Sequence, residues 1–178
     1  MHKIFENTDY RMLKLFIEEP DTSFSVREIA RRLKQNHATI LNHITPFVKM
    51  RLISIDKTTL YPTYHANTES EHYKFYKKNE IVFYIKESGI IQYLQETALP
   101  ACIILYGSCA KGDYRKDSDI DLFVEANEAK LDLAKFEKTL GREIHVIFEQ
   151  RITNLASPLQ NNVLNGIILY GFVKLDRP

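Results

Sequence analysis

Ile103-Ile104-Leu105-Tyr106-Gly107-Ser108-Cys109-Ala110-Lys111-Gly112-Asp113-Tyr114-Arg115-Lys116-Asp117-Ser118-Asp119-Ile120-Asp121-Leu122-Phe123-Val124 is the stretch that decides the reading of this chain. An apolar run ends at Gly107-Ser108, ten mostly polar residues follow, and a second apolar run opens with Asp119-Ile120-Asp121. Residues two apart on a strand share a face, so Asp119 and Asp121 converge while Ile120 and Leu122 turn into a core. Two ionised carboxylates side by side repel each other, and a divalent cation relieves that cost. Oxygen ligands of this kind suit Mg²⁺. Cys109-Ala110-Lys111 is expected to begin a short helix behind the Gly-Ser turn. Backbone N–H groups at a helix start can hold a phosphate oxygen, and glycine lets the phosphate come close to the main chain. A phosphate cradle beside a metal-holding acid pair suggests phosphoryl or nucleotidyl transfer.

The spacing resembles that of the polymerase-beta-like nucleotidyltransferase superfamily, in particular its minimal prokaryotic members. Their pattern is a strand ending in Gly-Ser, a spacer of about ten residues and Asp-hydrophobic-Asp within the next strand. A lone Asp-x-Asp reads as a solvated strand end. The spacer and the two apolar flanks make the likeness specific.

Composition bounds the alternatives. A chain of 178 residues holds one ordinary domain or two small ones. Its 44% hydrophobic content is that of a soluble globular protein. No apolar run is long enough to span a bilayer. Met1-His2-Lys3, followed by the mixed run Ile4-Phe5-Glu6-Asn7, does not read as a signal peptide. Cys102 and Cys109 make no disulfide framework, and a cytoplasmic location is expected. Cys109 is read as a small residue beside the turn, since no base accompanies it. The net charge of +1 is unevenly spread: residues 25–51 carry six basic side chains (Arg27, Arg31, Arg32, Lys34, Lys49, Arg51) against one acid, Glu28.

That basic cluster lies in a helical pattern. Asp9 to Glu19 reads as a helix stopped by Pro20, with Leu13, Phe16 and Ile17 on one face. Ser25-Val26-Arg27-Glu28 reads as a capping box opening a second helix through Leu33. A third helix is expected from about His37 to Met50, bent or loosened by Pro46. Leu52-Ile53-Ser54-Ile55 and Leu60-Tyr61-Pro62-Thr63-Tyr64 alternate like strands around Asp56-Lys57-Thr58-Thr59. Three helices and a hairpin resemble a winged helix-turn-helix, with Ser25–Leu33 and Thr39–Ile44 as positioning and recognition helices. The resemblance implies base contacts from His37, Thr39, Asn42 and His43 and phosphate contacts from Arg27, Arg31, Arg32, Lys34 and Lys57. Winged helices also serve as protein-docking or dimerisation units. No cysteine or further histidine joins His37 and His43 into a metal site.

Thr68 to Leu99 reads as one or two helices broken at Ser88-Gly89, with an aromatic stripe suited to a core or a dimer surface. Glu128 to Leu140 reads as a helix closed by Gly141, and Arg142 to Phe148 as a strand. A helix over Leu159–Gly166 and a strand over 167–173 complete the chain. The expected fold is α+β: a winged helix-turn-helix over 1–67, a helical connector over 68–99, and over 100–178 a nucleotidyltransferase fold, a small mixed sheet flanked by helices.

Leu94–Leu122 and Asn165–Gly171 extend the likeness to archaeal-type proteins that fuse a winged helix to a minimal nucleotidyltransferase. The resemblance implies an NTP donor such as ATP, two Mg²⁺ or Mn²⁺ ions and pyrophosphate release. By position, Gly107 and Ser108 bind the triphosphate, and Asp119 and Asp121 are catalytic metal ligands. A third carboxylate usually comes from the following strand, flanked by apolar residues. Here that place holds His145, between Ile144 and Val146. Glu143, two residues away on the same strand face, could replace the missing acid. Alternatively His145 acts as an acid or base on an acceptor hydroxyl, or the site has decayed.

Two functions remain open at this point. One is transfer of a nucleoside monophosphate from an NTP to an acceptor hydroxyl. The other is a double-stranded DNA-binding regulator, or an antitoxin-like partner of a toxin protein, whose transferase fold senses nucleotide or is inactive. A homodimer is plausible in either case, and no membrane partner is expected.

Overall fold

The computed structural model describes residues 7–58 and 60–174. The Met1–Glu6 run read for a signal peptide, and Thr59 of the expected turn, lie outside them. The chain forms two compact units, Met1–Lys77 and Lys78–Pro178. Among the described residues no helix is long and apolar enough to cross a membrane.

In the first unit, α1 (Thr8–Glu18) starts where the Asn7 side chain accepts the Tyr10 N–H at 2.7 Å. It buries Met12, Leu15, Phe16 and Ile17. β1 (Phe24–Ser25) leads into α2 (Val26–Leu33), whose cap is Ser25 Oγ accepting the Glu28 N–H at 3.2 Å. Only this half of the expected capping box forms, because the Glu28 carboxylate turns to Arg32 and Arg31. Asn36 caps α3 (His37–Lys49) by accepting the Thr39 N–H at 2.8 Å. The helix continues through Pro46, and the residue before it, Thr45, donates its Oγ1–H to the Leu41 carbonyl at 2.7 Å.

β2 (Ile53–Asp56) and β3 (Thr63–Ala66) pair antiparallel, and β1 adds to the other side of β3. The second hairpin strand therefore starts later than the sequence predicts. Pairing of Asp56 with Thr63 leaves residues 57–58 and 60–62 outside the strands, and Pro62 has no N–H to offer a ladder. Leu60 and Tyr61 are accordingly exposed. β1 was legible only as a cap, since two residues carry no period.

α4 (Glu71–Glu87) follows, and Gly89, at φ +80°, makes the turn into α5 (Ile90–Ala98). The second unit then runs β4 (Cys102–Tyr106), α6 (Gly107–Lys111), β5 (Ile120–Glu125), α7 (Ala134–Leu140), β6 (Ile144–Glu149), a 3₁₀ turn (Ile152–Asn154), α8 (Ser157–Leu164) and β7 (Ile167–Gly171). The sheet order is β6-β5-β4-β7, with β5 and β6 parallel and the other pairs antiparallel. It is a mixed four-stranded sheet flanked by helices. Every residue of β4 is buried. On one face Cys102, Ile104, Tyr106 and Phe123 pack with Ile152, Leu155 and Val163. Burial pushes the Cys102 thiol up to about 12, helped by Glu125, whose carboxylate accepts from it at 3.6 Å and from the Ile152 N–H at 3.1 Å.

The predicted helix over Glu128–Leu140 is cut to its second half. The Asp132 N–H donates to the Tyr93 hydroxyl at 2.8 Å instead of to a helical carbonyl, and Asp132 Oδ1 accepts from Ala134 N–H at 3.3 Å. That local bond starts α7 six residues later than the apolar spacing implies. Likewise Arg142, the expected first residue of the next strand, stays outside the observed one, Ile144–Glu149, and its side chain serves another purpose, described below.

Candidate active site

The end of β4, the α6 turn and the starts of β5 and β6 meet at one end of the second unit's sheet. Tyr106 pairs with Asp121, and Asp121 pairs with His145. Directly opposed residues of neighbouring strands share a face. Asp121 and His145 therefore stand together, and Asp119 and Glu143, each two residues earlier, stand on the same face. The Ile120 N–H donates to the Glu143 carbonyl at 2.9 Å, which keeps these leading residues in parallel register. Ile120 and Ile144, paired on the opposite face, are buried and anchor the arrangement.

His145 Nε2 lies 3.8 Å from Asp119 Oδ2 and 3.8 Å from Glu143 Oε2. One donor atom from each of Asp119, Glu143 and His145 falls within 4.8 Å of the others, a group that could hold a metal ion. Among the described residues no lysine or arginine pairs with Asp119, Asp121 or Glu143. The acids thus have no permanent cation paired to them, although His145 stands beside Asp119 and Glu143.

Asp121 is more enclosed and lies outside that triple. Its carboxyl is raised above the usual carboxylate range, chiefly by burial; His145 works against the shift and the charge of Asp119 adds to it. Burial, then the charge of Asp121, likewise raises the neighbouring Tyr106 phenol. The Asp121 carboxylate lies against Gly107, where any Cβ would overlap Oδ2, and Gly107 sits at φ +72°. Glycine is required there on both counts. Ser108 is half-buried in the first turn of α6, which no side chain caps. Its leading N–H groups therefore have no capping side chain as acceptor.

The ten-residue spacer is a tied loop. Arg142 Nη1 donates to the Arg115 and Ser118 carbonyls, each at 2.6 Å, and its guanidinium covers the Tyr114 ring at 4.9 Å. Cys109 is buried, and its Sγ donates to the Asp119 carbonyl at 3.3 Å. Sequence reasoning missed Arg142, because its partners are backbone carbonyls and leave no side-chain signature. Its position just after Gly141 was the one available hint.

The N-terminal candidates behave differently from one another. Arg27, Lys34, Asn42 and Lys57 are exposed, and Thr39 is half-buried. Arg27 approaches the Tyr61 ring at 5.9 Å. Arg31 keeps 78% of its side chain exposed, 3.9 Å from Glu28. Arg32 is engaged within its unit: it pairs with Glu19 and Glu28 and lies 4.7 Å over the Phe24 ring. His43 Nδ1 is held 2.6 Å from Asp9 Oδ1. His37 is exposed at the start of α3.

Residues 87–170 match the family model for a nucleotidyltransferase domain. The span includes Gly107, Ser108, Asp119, Asp121, Glu143 and His145. The match supports the polymerase-beta-like superfamily and a general nucleotidyl-transfer function for this part of the chain. Domains of that family typically use an NTP and a divalent metal. No curated protein matches the chain.

Proposed function

We propose that the protein transfers a nucleoside monophosphate from an NTP, ATP first among them, to an acceptor hydroxyl. The observation that carries this reading is the convergence of Asp119, Asp121, Glu143 and His145 on one sheet face, beside the uncapped Gly107-Ser108 turn. In this reading Asp119 and Asp121 are catalytic and hold Mg²⁺ or Mn²⁺, with Glu143 as the third acid. The donor set fits such an ion, because the Asp119 and Glu143 carboxylates converge with His145, and among the described residues no lysine or arginine pairs with them. When bound, the ion offsets the charge of the triphosphate and of the departing pyrophosphate. The Gly107 and Ser108 N–H groups and the Ser108 hydroxyl orient the phosphates, and Gly107 leaves the room they need. Arg142 keeps the loop that presents Asp119 in place.

The reading also assigns residues 1–67 to a winged helix-turn-helix, 68–99 to a connector and 100–178 to the core of the transferase. Double-stranded DNA is the proposed partner of the first, with Thr39, Asn42 and His43 toward bases and Arg27, Arg31, Lys34 and Lys57 toward phosphates. The chain acts in the cytoplasm as a homodimer. Steady pyrophosphate release from an NTP, with candidate hydroxyl acceptors supplied, tests the transfer reaction directly.

The presence of His145 where the superfamily has an acid favours a second reading. There the protein is a DNA-binding regulator, or antitoxin-like partner of a toxin, that binds nucleotide without turning it over. Salt-sensitive duplex binding with no pyrophosphate release from any NTP supports it, and sustained release sinks it.

A further inference from the structure

We propose that Asp119, Glu143 and His145 form a mixed nitrogen–oxygen metal site that prefers a divalent first-row ion such as Mn²⁺ or Zn²⁺ over Mg²⁺. It rests on the metal role given to Asp119 above, and adds His145 as a ligand rather than as an acid or base. Donors each about 2.1 Å from one ion lie about 3 to 4 Å apart. The two measured separations from His145 Nε2, 3.8 Å to Asp119 Oδ2 and 3.8 Å to Glu143 Oε2, are of that size. They are too long for hydrogen bonds, so the three side chains converge without satisfying one another. Two elements supply them, and the parallel β5–β6 register fixes the geometry: Asp121 opposite His145, with Glu143 and Asp119 two residues earlier. The group is open on its outer side, His145 being 56% and Glu143 79% exposed, so water or a phosphate oxygen can complete the coordination. Imidazole is a poor ligand for Mg²⁺ and a good one for first-row transition ions. Replacing an acid by His145 therefore does not empty the site but changes which ion it selects. Asp121, against Gly107, stays outside this triple.

The test uses the full chain and metal alone, with no nucleotide. Mn²⁺ binding is followed by loss of the free-ion electron paramagnetic resonance signal, and Mg²⁺ and Zn²⁺ are titrated as competitors. The wild type is expected to hold Mn²⁺ at least about tenfold more tightly than Mg²⁺, and Zn²⁺ more tightly still. His145→Ala is expected to lose about tenfold or more in Mn²⁺ affinity while Mg²⁺ affinity stays within about twofold. Glu143→Gln should weaken both ions. Pulsed measurements on bound Mn²⁺ should show coupling to an imidazole nitrogen that vanishes in His145→Ala. Equal Mn²⁺ affinity in wild type and His145→Ala, or bound Mn²⁺ without nitrogen coupling, overturns the proposal. Nitrogen coupling without nucleotidyl transfer refutes the transferase reading and leaves the site standing. Transfer supported by Mg²⁺ with no nitrogen coupling does the reverse.

Discussion

Asp121 shows how a single residue carries conflicting demands. Its carboxyl is raised, mainly because it is enclosed. A carboxyl raised in the folded state favours folding while protonated, below the unfolded value near pH 4, and loses that contribution as pH climbs through the folded value. At neutral pH the ionised Asp121 is therefore a cost. Asp121→Asn is expected to raise the melting temperature at pH 7 by about 2–5 °C, with the gain shrinking toward pH 4. Thermal scans of both proteins from pH 4 to 7.5 check this. A variant that melts lower than the wild type at pH 7 contradicts it. Gly107 makes the opposite prediction. Gly107→Ala puts a Cβ onto the Asp121 carboxylate at a left-handed backbone, a cost of about 1–3 kcal/mol. The same scans should show a fall of about 4–8 °C per kcal/mol for a unit of this size. An unchanged melting temperature would mean the turn has room the geometry denies it.

Among the secondary-structure elements, the strand pair around Asp119-Ile120-Asp121 was the most legible part of the chain. Its alternation predicts which side chains are buried, and Ile120 and Leu122 are fully so. The convergence of Glu143 and His145 on Asp119 was less so. It depends on β5 and β6 being parallel and in register, and register is a property of two segments that neither reveals alone. The first half of the α7 pattern misled for a related reason: apolar spacing cannot report that Tyr93, far back in the chain, takes the Asp132 N–H. Arg32 is a third case. Counted with its neighbours it looks like a phosphate contact, but Glu19, Glu28 and the Phe24 ring occupy it. Arg32→Ala should therefore lower the melting temperature and leave the salt dependence of duplex binding unchanged. Lys34→Ala should leave melting unchanged and flatten the salt slope by about 1. Calorimetry and binding at several salt concentrations separate the two, and a flatter slope for Arg32→Ala than for Lys34→Ala would reverse the assignment.

On the scale of the whole molecule, the chain carries a basic N-terminal unit and a second unit built on a transferase-like sheet. In the proposed function a cation and a triphosphate bind together at Asp119, Asp121 and the Gly107-Ser108 turn. The most direct measurement is calorimetric binding of a non-hydrolysable ATP analogue, with Mn²⁺ and with chelator, to the wild type and to the Asp119→Ala, Asp121→Ala double variant. Binding is expected to need the metal in the wild type and to fall at least about a hundredfold in the double variant, a loss of about 2.7 kcal/mol or more. Equal affinity in the two proteins, or binding indifferent to chelator, would contradict it.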